Sequence, residues 1–250
     1  MFRTILTAMT FSLIATIGHA FDIESMSDEE RATFRAEIRA YLLENPEVIM
    51  EAVQILETRR AEQAAQAELA LFRDNREEIY NDGVSYIGGN PDGDVTIVEF
   101  LDYRCGYCKR AFPSVEQLLE SDGNIRFIVK EFPILGEASV LASRYALSVK
   151  FSAGDEAYKQ VHDKLMLHNG DINEGYLARL SRELGVDHGD VAARMDSQEV
   201  LDVIAANRQL GQKLAIQGTP SFVMGENFVR GFVELDQMRA IVESIRNEQS

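Results

Sequence analysis

Hydrophobic positions along this chain repeat with two different periods, and the change of period divides it. From Ser27 to about Tyr80 apolar residues recur every third or fourth position among Arg and Glu: Phe34, Ile38 and Leu42, then Val48, Ile49, Ala52, Val53 and Leu56, then Leu69, Phe72 and Ile79. That spacing predicts amphipathic helix. Ser27-x-x-Glu30 is a capping-box pattern. Asn45-Pro46 restarts the chain, with Asn45 as cap and Pro46 at the first helical position. No Gly or Pro follows until Gly83, so a helix of some 35 residues, roughly 50 Å long, is expected from Pro46 to about Tyr80.

Asn81-Asp82-Gly83 and Gly88-Gly89-Asn90-Pro91-Asp92-Gly93 read as turn clusters that end this segment. Val95–Leu101 is then a near-continuous apolar run, as expected of a central strand covered on both faces. A helix over 106–120, a strand over Ile125–Val129 and helical stretches over about 138–215, broken near Gly154, Gly170, Gly185 and Gly189, follow. Ser221–Met224 and Phe228–Val233 predict a hairpin around Gly225-Glu226-Asn227, and a last helix closes the chain.

Composition narrows the function classes. The 250 residues are 46% hydrophobic and 26% charged, with a net charge of −16 that disfavours nucleic acid and anionic membranes as partners. Met1-Phe2-Arg3, the apolar run Ile5–Ile17 and Gly18-His19-Ala20 read as a signal peptide over residues 1–20, cut after Ala20. The exported chain would meet an oxidising compartment, where a cysteine pair can cycle with disulfides. The expected organisation is this leader, a helical segment over 21–82 and an α/β domain over 83–250.

Both cysteines lie in Cys105-Gly106-Tyr107-Cys108, at a strand-to-helix turn. The first thiol sits where unpaired N–H groups and the helix dipole favour a thiolate, and Arg104, Lys109 and Arg110 add positive charge nearby. Cys105 is therefore read as nucleophile and Cys108 as the resolving thiol. Zinc would need further ligands: there is no second cysteine pair, and His162 and His168 are distant. A structural disulfide around so small a loop would stabilise little. No metal and no cofactor beyond a redox-active Cys105–Cys108 disulfide is expected. Glu99 lies inside the apolar strand, and two roles stay open for it. One is an ion pair with Arg126 or Lys130; the other is a carboxylate of raised pKa that relays the proton of Cys108. The Thr219-Pro220 bond is left open between cis and trans.

Val98-Glu-Phe-Leu-Asp-Tyr-Arg-Cys-Gly-Tyr-Cys-Lys109, followed by Gly218-Thr-Pro-Ser-Phe222, resembles the DsbA-like thiol–disulfide oxidoreductases over about residues 84–250. Tyr41-Leu-Leu-Glu-Asn-Pro-Glu-Val48 is similar to the N-terminal helices of the ScsC-type branch, some members of which oligomerise. The resemblance implies a thioredoxin fold with an inserted helical domain; the one-sided stripe at Val48, Ile49, Ala52, Val53 and Leu56 reads as an N-terminal helical oligomerisation segment, the alternative being a solvated stalk. The resemblance also implies that Cys105 attacks, Cys108 resolves, Glu99 is the buried acid, and Thr219-Pro220 is a cis-proline loop that binds substrate. Strongly oxidising members carry Pro-His between the cysteines. Gly-Tyr lacks that source of thiolate stabilisation and is similar to the dimeric periplasmic isomerases. The expected function is a periplasmic isomerase or reductase of exported proteins, homo-oligomeric and kept reduced by a membrane redox partner. The alternatives are a dithiol oxidase and, further off, a copper- or zinc-binding carrier using the same thiols.

Overall fold

The computed structural model describes residues 25–249, so the predicted leader lies outside the described residues. Two compact units divide the chain, at Gln63 and Ala64.

In the first unit, helix α1 (Asp28–Glu44) begins with the expected capping box: the Glu30 N–H donates to Ser27 Oγ at 3.3 Å and the Ser27 N–H to Glu30 Oε2 at 2.9 Å. Asn45 does not cap the next helix with its side chain. Its amide Nδ2 donates back to the Tyr41 carbonyl at 2.9 Å and closes α1 instead. Helix α2 (Glu47–Asp74) is 28 residues long, about 42 Å. Within α1 nothing is buried, and Ile38, Tyr41, Leu43, Ile49, Met50, Val53, Ile55 and Leu56 are exposed.

The long helix is shorter than the sequence predicts. It ends at Asp74, where the Asn75 Nδ2 donates to the Leu71 carbonyl at 2.8 Å, and a five-residue helix α3 (Arg76–Tyr80) follows. A side-chain amide that takes a carbonyl of the last turn replaces the missing Gly or Pro as the stop signal. The end of α2 belongs to the second unit: Phe72 and Ile79 are buried against Val98, Phe100 and Ile128.

The second unit is built on a five-stranded sheet of β1 (Tyr86–Gly89), β2 (Val95–Leu101), β3 (Ile125–Glu131), β4 (Ser221–Met224) and β5 (Asn227–Arg230), in the order β1-β3-β2-β4-β5. Only β2 and β3 run parallel. Strand β1 was not expected, because its Gly88-Gly89 reads as a turn. Gly89 sits at φ +63°, with its Cα so close to the Ile125 carbonyl that a Cβ would lie 2.4 Å from that oxygen. Gly89 lets the edge strand press on β3, while Gly88 leaves room for the Tyr86 ring of its own strand.

Helices cover both faces, as the unbroken apolar run of β2 demands. On one face Val95, Ile97 and Leu101 join Ile125, Phe127 and Val129 in a core shared with α4 (Gly106–Asp122), with α5 (Glu137–Ala153), α6 (Asp155–Leu167) and α7 (Glu174–Leu184), and with α10 (Leu235–Gln249). On the other, Val98, Phe100 and Val223 pack on Phe72, Ile79, Leu210 and Leu214. The short α8 (His188–Arg194) and α9 (Gln198–Lys213) complete the helical insertion between β3 and β4; Gly189 lies inside α8 rather than at a break. This is a thioredoxin-like fold with a helical insertion and N-terminal helices.

Candidate functional site

Cys105 occupies the N-cap of α4, with extended backbone angles, and its carbonyl accepts the first intrahelical bond from the Lys109 N–H at 3.1 Å. The preceding loop is held by Asp102, a fully buried residue. Its Oδ1 accepts the Arg104 N–H at 2.7 Å, and its Oδ2 accepts those of Ile134 and Leu135 at 2.8 and 3.0 Å. Cys108, one turn into the helix, is completely buried, while Cys105 retains 7% exposure. The nucleophile is thus far less open than its helix-end position suggests. Tyr107 between the two cysteines is exposed.

From the far side the Thr219-Pro220 segment meets the thiols. Its peptide bond is cis, and the Cys105 thiol donates to the Thr219 carbonyl at 3.0 Å across 114 residues of sequence. Both cysteines are free thiols here. Hydrogen bonds from the Cys108 thiol, then from the Thr219 side chain and from the Cys108 and Tyr107 N–H groups, outweigh burial and bring Cys105 down to about 5. Burial, the Cys105 hydrogen bond and the charge of Glu99 push Cys108 far up.

Two expectations about charge are corrected. Arg104 reaches Asp171 at 3.8 Å, Lys109 donates to the His168 carbonyl, and Arg110 pairs with Glu234 at 3.4 Å over the Phe232 ring. These cations have acceptors of their own, and hydrogen bonds to the sulfur lead in stabilising the thiolate. Nor does Glu99 pair with Arg126 or Lys130. In the parallel register Glu99 stands beside Val129, whereas Arg126 and Lys130 stand beside Thr96 and Phe100 on the opposite face. There Lys130 bonds Asp82 at 2.6 Å and the Glu78 carbonyl at 2.8 Å, and Arg126 bonds the Tyr80 carbonyl at 2.9 Å. Glu99 is 2% exposed, its Oε1 has no hydrogen-bond partner, and burial followed by the charges of Cys105 and Glu116 raises it to about 8.

A second buried carboxylate escaped the sequence reading. Glu131, at the end of β3, accepts from the hydroxyls of Tyr103 and Tyr158, each at 2.6 Å, and of Ser143 at 2.7 Å. Burial raises it to about 7 against the pull of these three bonds. His162, 3.2 Å from the Tyr103 oxygen through Nδ1, is driven down to about 3 by burial and is neutral. Among the described residues, no group of three or more His, Cys, Asp and Glu side chains is placed to hold a metal ion.

Two thiols at a helix N-terminus, opposed by a cis-proline segment that leads into strand β4 of a mixed sheet, define the thioredoxin class of fold. Within it, the chain belongs to the DSBA-like thioredoxin domain family, whose model matches residues 96–243; residues 30–63 match the copper resistance protein ScsC N-terminal domain. A thioredoxin-like oxidoreductase from Silicibacter pomeroyi is 42% identical, with a TM-score of 0.65 over 69% of this chain and 98% of that one. ScsC of Proteus mirabilis in a transitional conformation is 30% identical, with a TM-score of 0.64 over 89% and 98%. Disulfide bond formation protein D of Bacillus subtilis is 25% identical over 187 residues, which are 68% of this chain and 84% of that protein. The chain also matches sodium/proton antiporters such as NhaA 3 of Salinispora tropica, at 24% identity, but spans only 24% of that protein's length.

Proposed function

We propose that the chain is a periplasmic thiol–disulfide oxidoreductase that acts on exported proteins as an isomerase or reductase, with Cys105 as nucleophile, Cys108 as resolving thiol and Thr219-Pro220 as the substrate-binding edge. The observation that carries this reading is the placement of Cys105: at the N-cap of α4, where the Cys108 thiol and the Cys108 and Tyr107 N–H groups donate to its sulfur, slightly open to solvent and depressed to about 5. At neutral pH it is a thiolate, the form that attacks a disulfide. It bonds to one substrate sulfur and expels the other as a thiolate, which takes up a proton. A different substrate thiolate can then displace Cys105, leaving a rearranged substrate disulfide with no net oxidation. Alternatively the Cys108 thiol gives up its proton, attacks Cys105 and releases a substrate reduced by two electrons. Glu99, as a carboxylate, accepts that proton; its charge is among the causes that hold the Cys108 proton in place, so the two groups are electrostatically linked.

The ScsC-type match over residues 30–63 and the exposed apolar positions there support assembly of several copies through the helical segment expected over 21–82. Shared active sites would hold a misfolded chain while its disulfides rearrange. A membrane partner that returns electrons to Cys105–Cys108 completes the cycle. One observation favours the opposite direction: a thiolate stabilised to this degree favours the reduced protein and makes its disulfide a ready oxidant. Refolding of a substrate with scrambled disulfides decides between them. An isomerase restores native pairing with catalytic amounts of dithiol protein and is inactivated by Cys105→Ser. An oxidase acts only as the disulfide, on reduced substrate, and consumes itself stoichiometrically.

A further inference from the structure

Glu131 stands at a junction that the exchange chemistry above does not use. Its side chain meets three hydroxyls: all three can donate to it when it is ionised, and when it holds a proton, as burial favours, these short contacts remain. Bonds of 2.6–2.7 Å are in the range of O–H donors to a charged oxygen. With the Tyr103 proton committed to Glu131, the Tyr103 oxygen is left to accept from His162, which in turn carries its proton on Nδ1. The donors come from different places. Ser143 is on α5 and Tyr158 on α6, both in the helical insertion, whereas Tyr103 is in the loop two residues before Cys105.

The segment after Glu131 is tied down as well. Asn207 on α9 donates to the Glu131 carbonyl at 3.1 Å, and Arg208 donates to the Pro133 carbonyl at 2.6 Å. The N–H groups of Ile134 and Leu135 then grip Asp102 from that same segment. Residues 131–135 are therefore a platform anchored on three helices of the insertion, and the nucleophile loop is fastened to it twice, through Asp102 and through Tyr103. A buried carboxylate is an expensive fastener where apolar packing would serve for stability alone. What it adds is a fixed position for the tyrosine hydroxyl.

We propose that Tyr103 and Glu131 are a positioning pair, through which the helical insertion fixes the loop that presents Cys105 to the Cys108 thiol and the Thr219 edge. The pair acts on the thiolate indirectly, by keeping its hydrogen-bond donors in register. This inference rests on the reading of Cys105 as nucleophile, and that reading has its own check in the Cys105→Ser variant.

The test is the pH profile of Cys105 alkylation in the full-length reduced protein, taken for the parent, Tyr103→Phe, Glu131→Gln, the double variant and Ser143→Ala. Tyr103→Phe and Glu131→Gln should each move the midpoint up by about half a pH unit or more, roughly a threefold change in ionisation. The double variant should move it no further than the larger single change, since the two residues act as one unit. Ser143→Ala, which removes a bond to Oε2 without touching the loop, should lower the melting temperature and leave the midpoint in place. Additive shifts, an unmoved midpoint in Tyr103→Phe, or an equal shift in Ser143→Ala would overturn the pair. If Glu131→Gln does not fold, Tyr103→Phe against Ser143→Ala decides alone. Should Cys105→Ser retain full exchange activity, the nucleophile assignment fails, independently of the pair.

Discussion

Glu99 is costly where it stands, and its cost depends on pH. Its folded value of about 8 lies above the usual 4.5, so the folded chain holds this proton more tightly than the unfolded chain does. Stability from this group is therefore complete below about pH 4.5 and is lost as pH rises through 8. Glu99→Gln should remove that dependence and make the protein more stable at pH 8.5, by on the order of several kcal/mol, as measured by denaturant melts at pH 5 and 8.5. The same variant should flatten the rise of the resolving step between pH 7 and 9, because only the carboxylate form accepts the Cys108 proton. A mixed-disulfide decay rate with an unchanged profile would leave Glu99 without a part in the exchange. The opposite case is Asp82, held below the ordinary carboxylate range by Lys130 against the effect of its own burial. Asp82→Asn should cost about 3–5 kcal/mol, because it leaves the Lys130 ammonium, 1% exposed, without its counter-charge. A urea melt that moves by less than 1 kcal/mol would contradict this.

Among the elements, α9 of the helical insertion packs closely on the segment that follows β3, and Gly211 is a point of that approach. A Cβ there would lie 2.4 and 2.6 Å from ring atoms of Phe132, which itself packs edge-on against Phe100 at 5.7 Å. Gly211→Ala should therefore lower stability by about 1–3 kcal/mol despite the gain in helix propensity, and Phe132→Leu in the same chain should recover part of it. Much of this architecture was legible beforehand. The apolar run of β2, the cysteine pair after it and the glycine-bounded hairpin each carry a local signal. What was not legible depends on partners far along the chain. Whether Glu99 meets Lys130 is decided by the parity of a strand register, and no local pattern reveals that. The Tyr103–Glu131 bond joins positions 28 apart. Strand β1 was hidden because its glycines serve close packing rather than turning, and the stop at Asn75 because its signal is a side-chain amide.

At the scale of the molecule, the boundary between the units lies inside α2, and truncation experiments must respect it. Removing the chain up to Gln63 should leave the second unit folded and competent with small dithiols, but monomeric in light scattering and poor at rearranging scrambled proteins. Removing it up to Tyr80 should instead destabilise the remainder, because Phe72 and Ile79, 2% and 0% exposed, leave the core beneath Val98 and Phe100. Equal melting temperatures for the two truncations would refute that division. The full burial of Cys108 has a different consequence, for survival among oxidants. Peroxide can reach only Cys105, whose thiolate is converted to a sulfenic acid with release of hydroxide. The waiting Cys108 thiol condenses with it, expelling water and forming the Cys105–Cys108 disulfide, which a reductant can undo. Damage is thus diverted into an ordinary turnover state: the parent protein should regain full activity with dithiothreitol after peroxide, whereas Cys108→Ser, lacking the trap, should accumulate irreversible sulfinic acid visible by mass spectrometry.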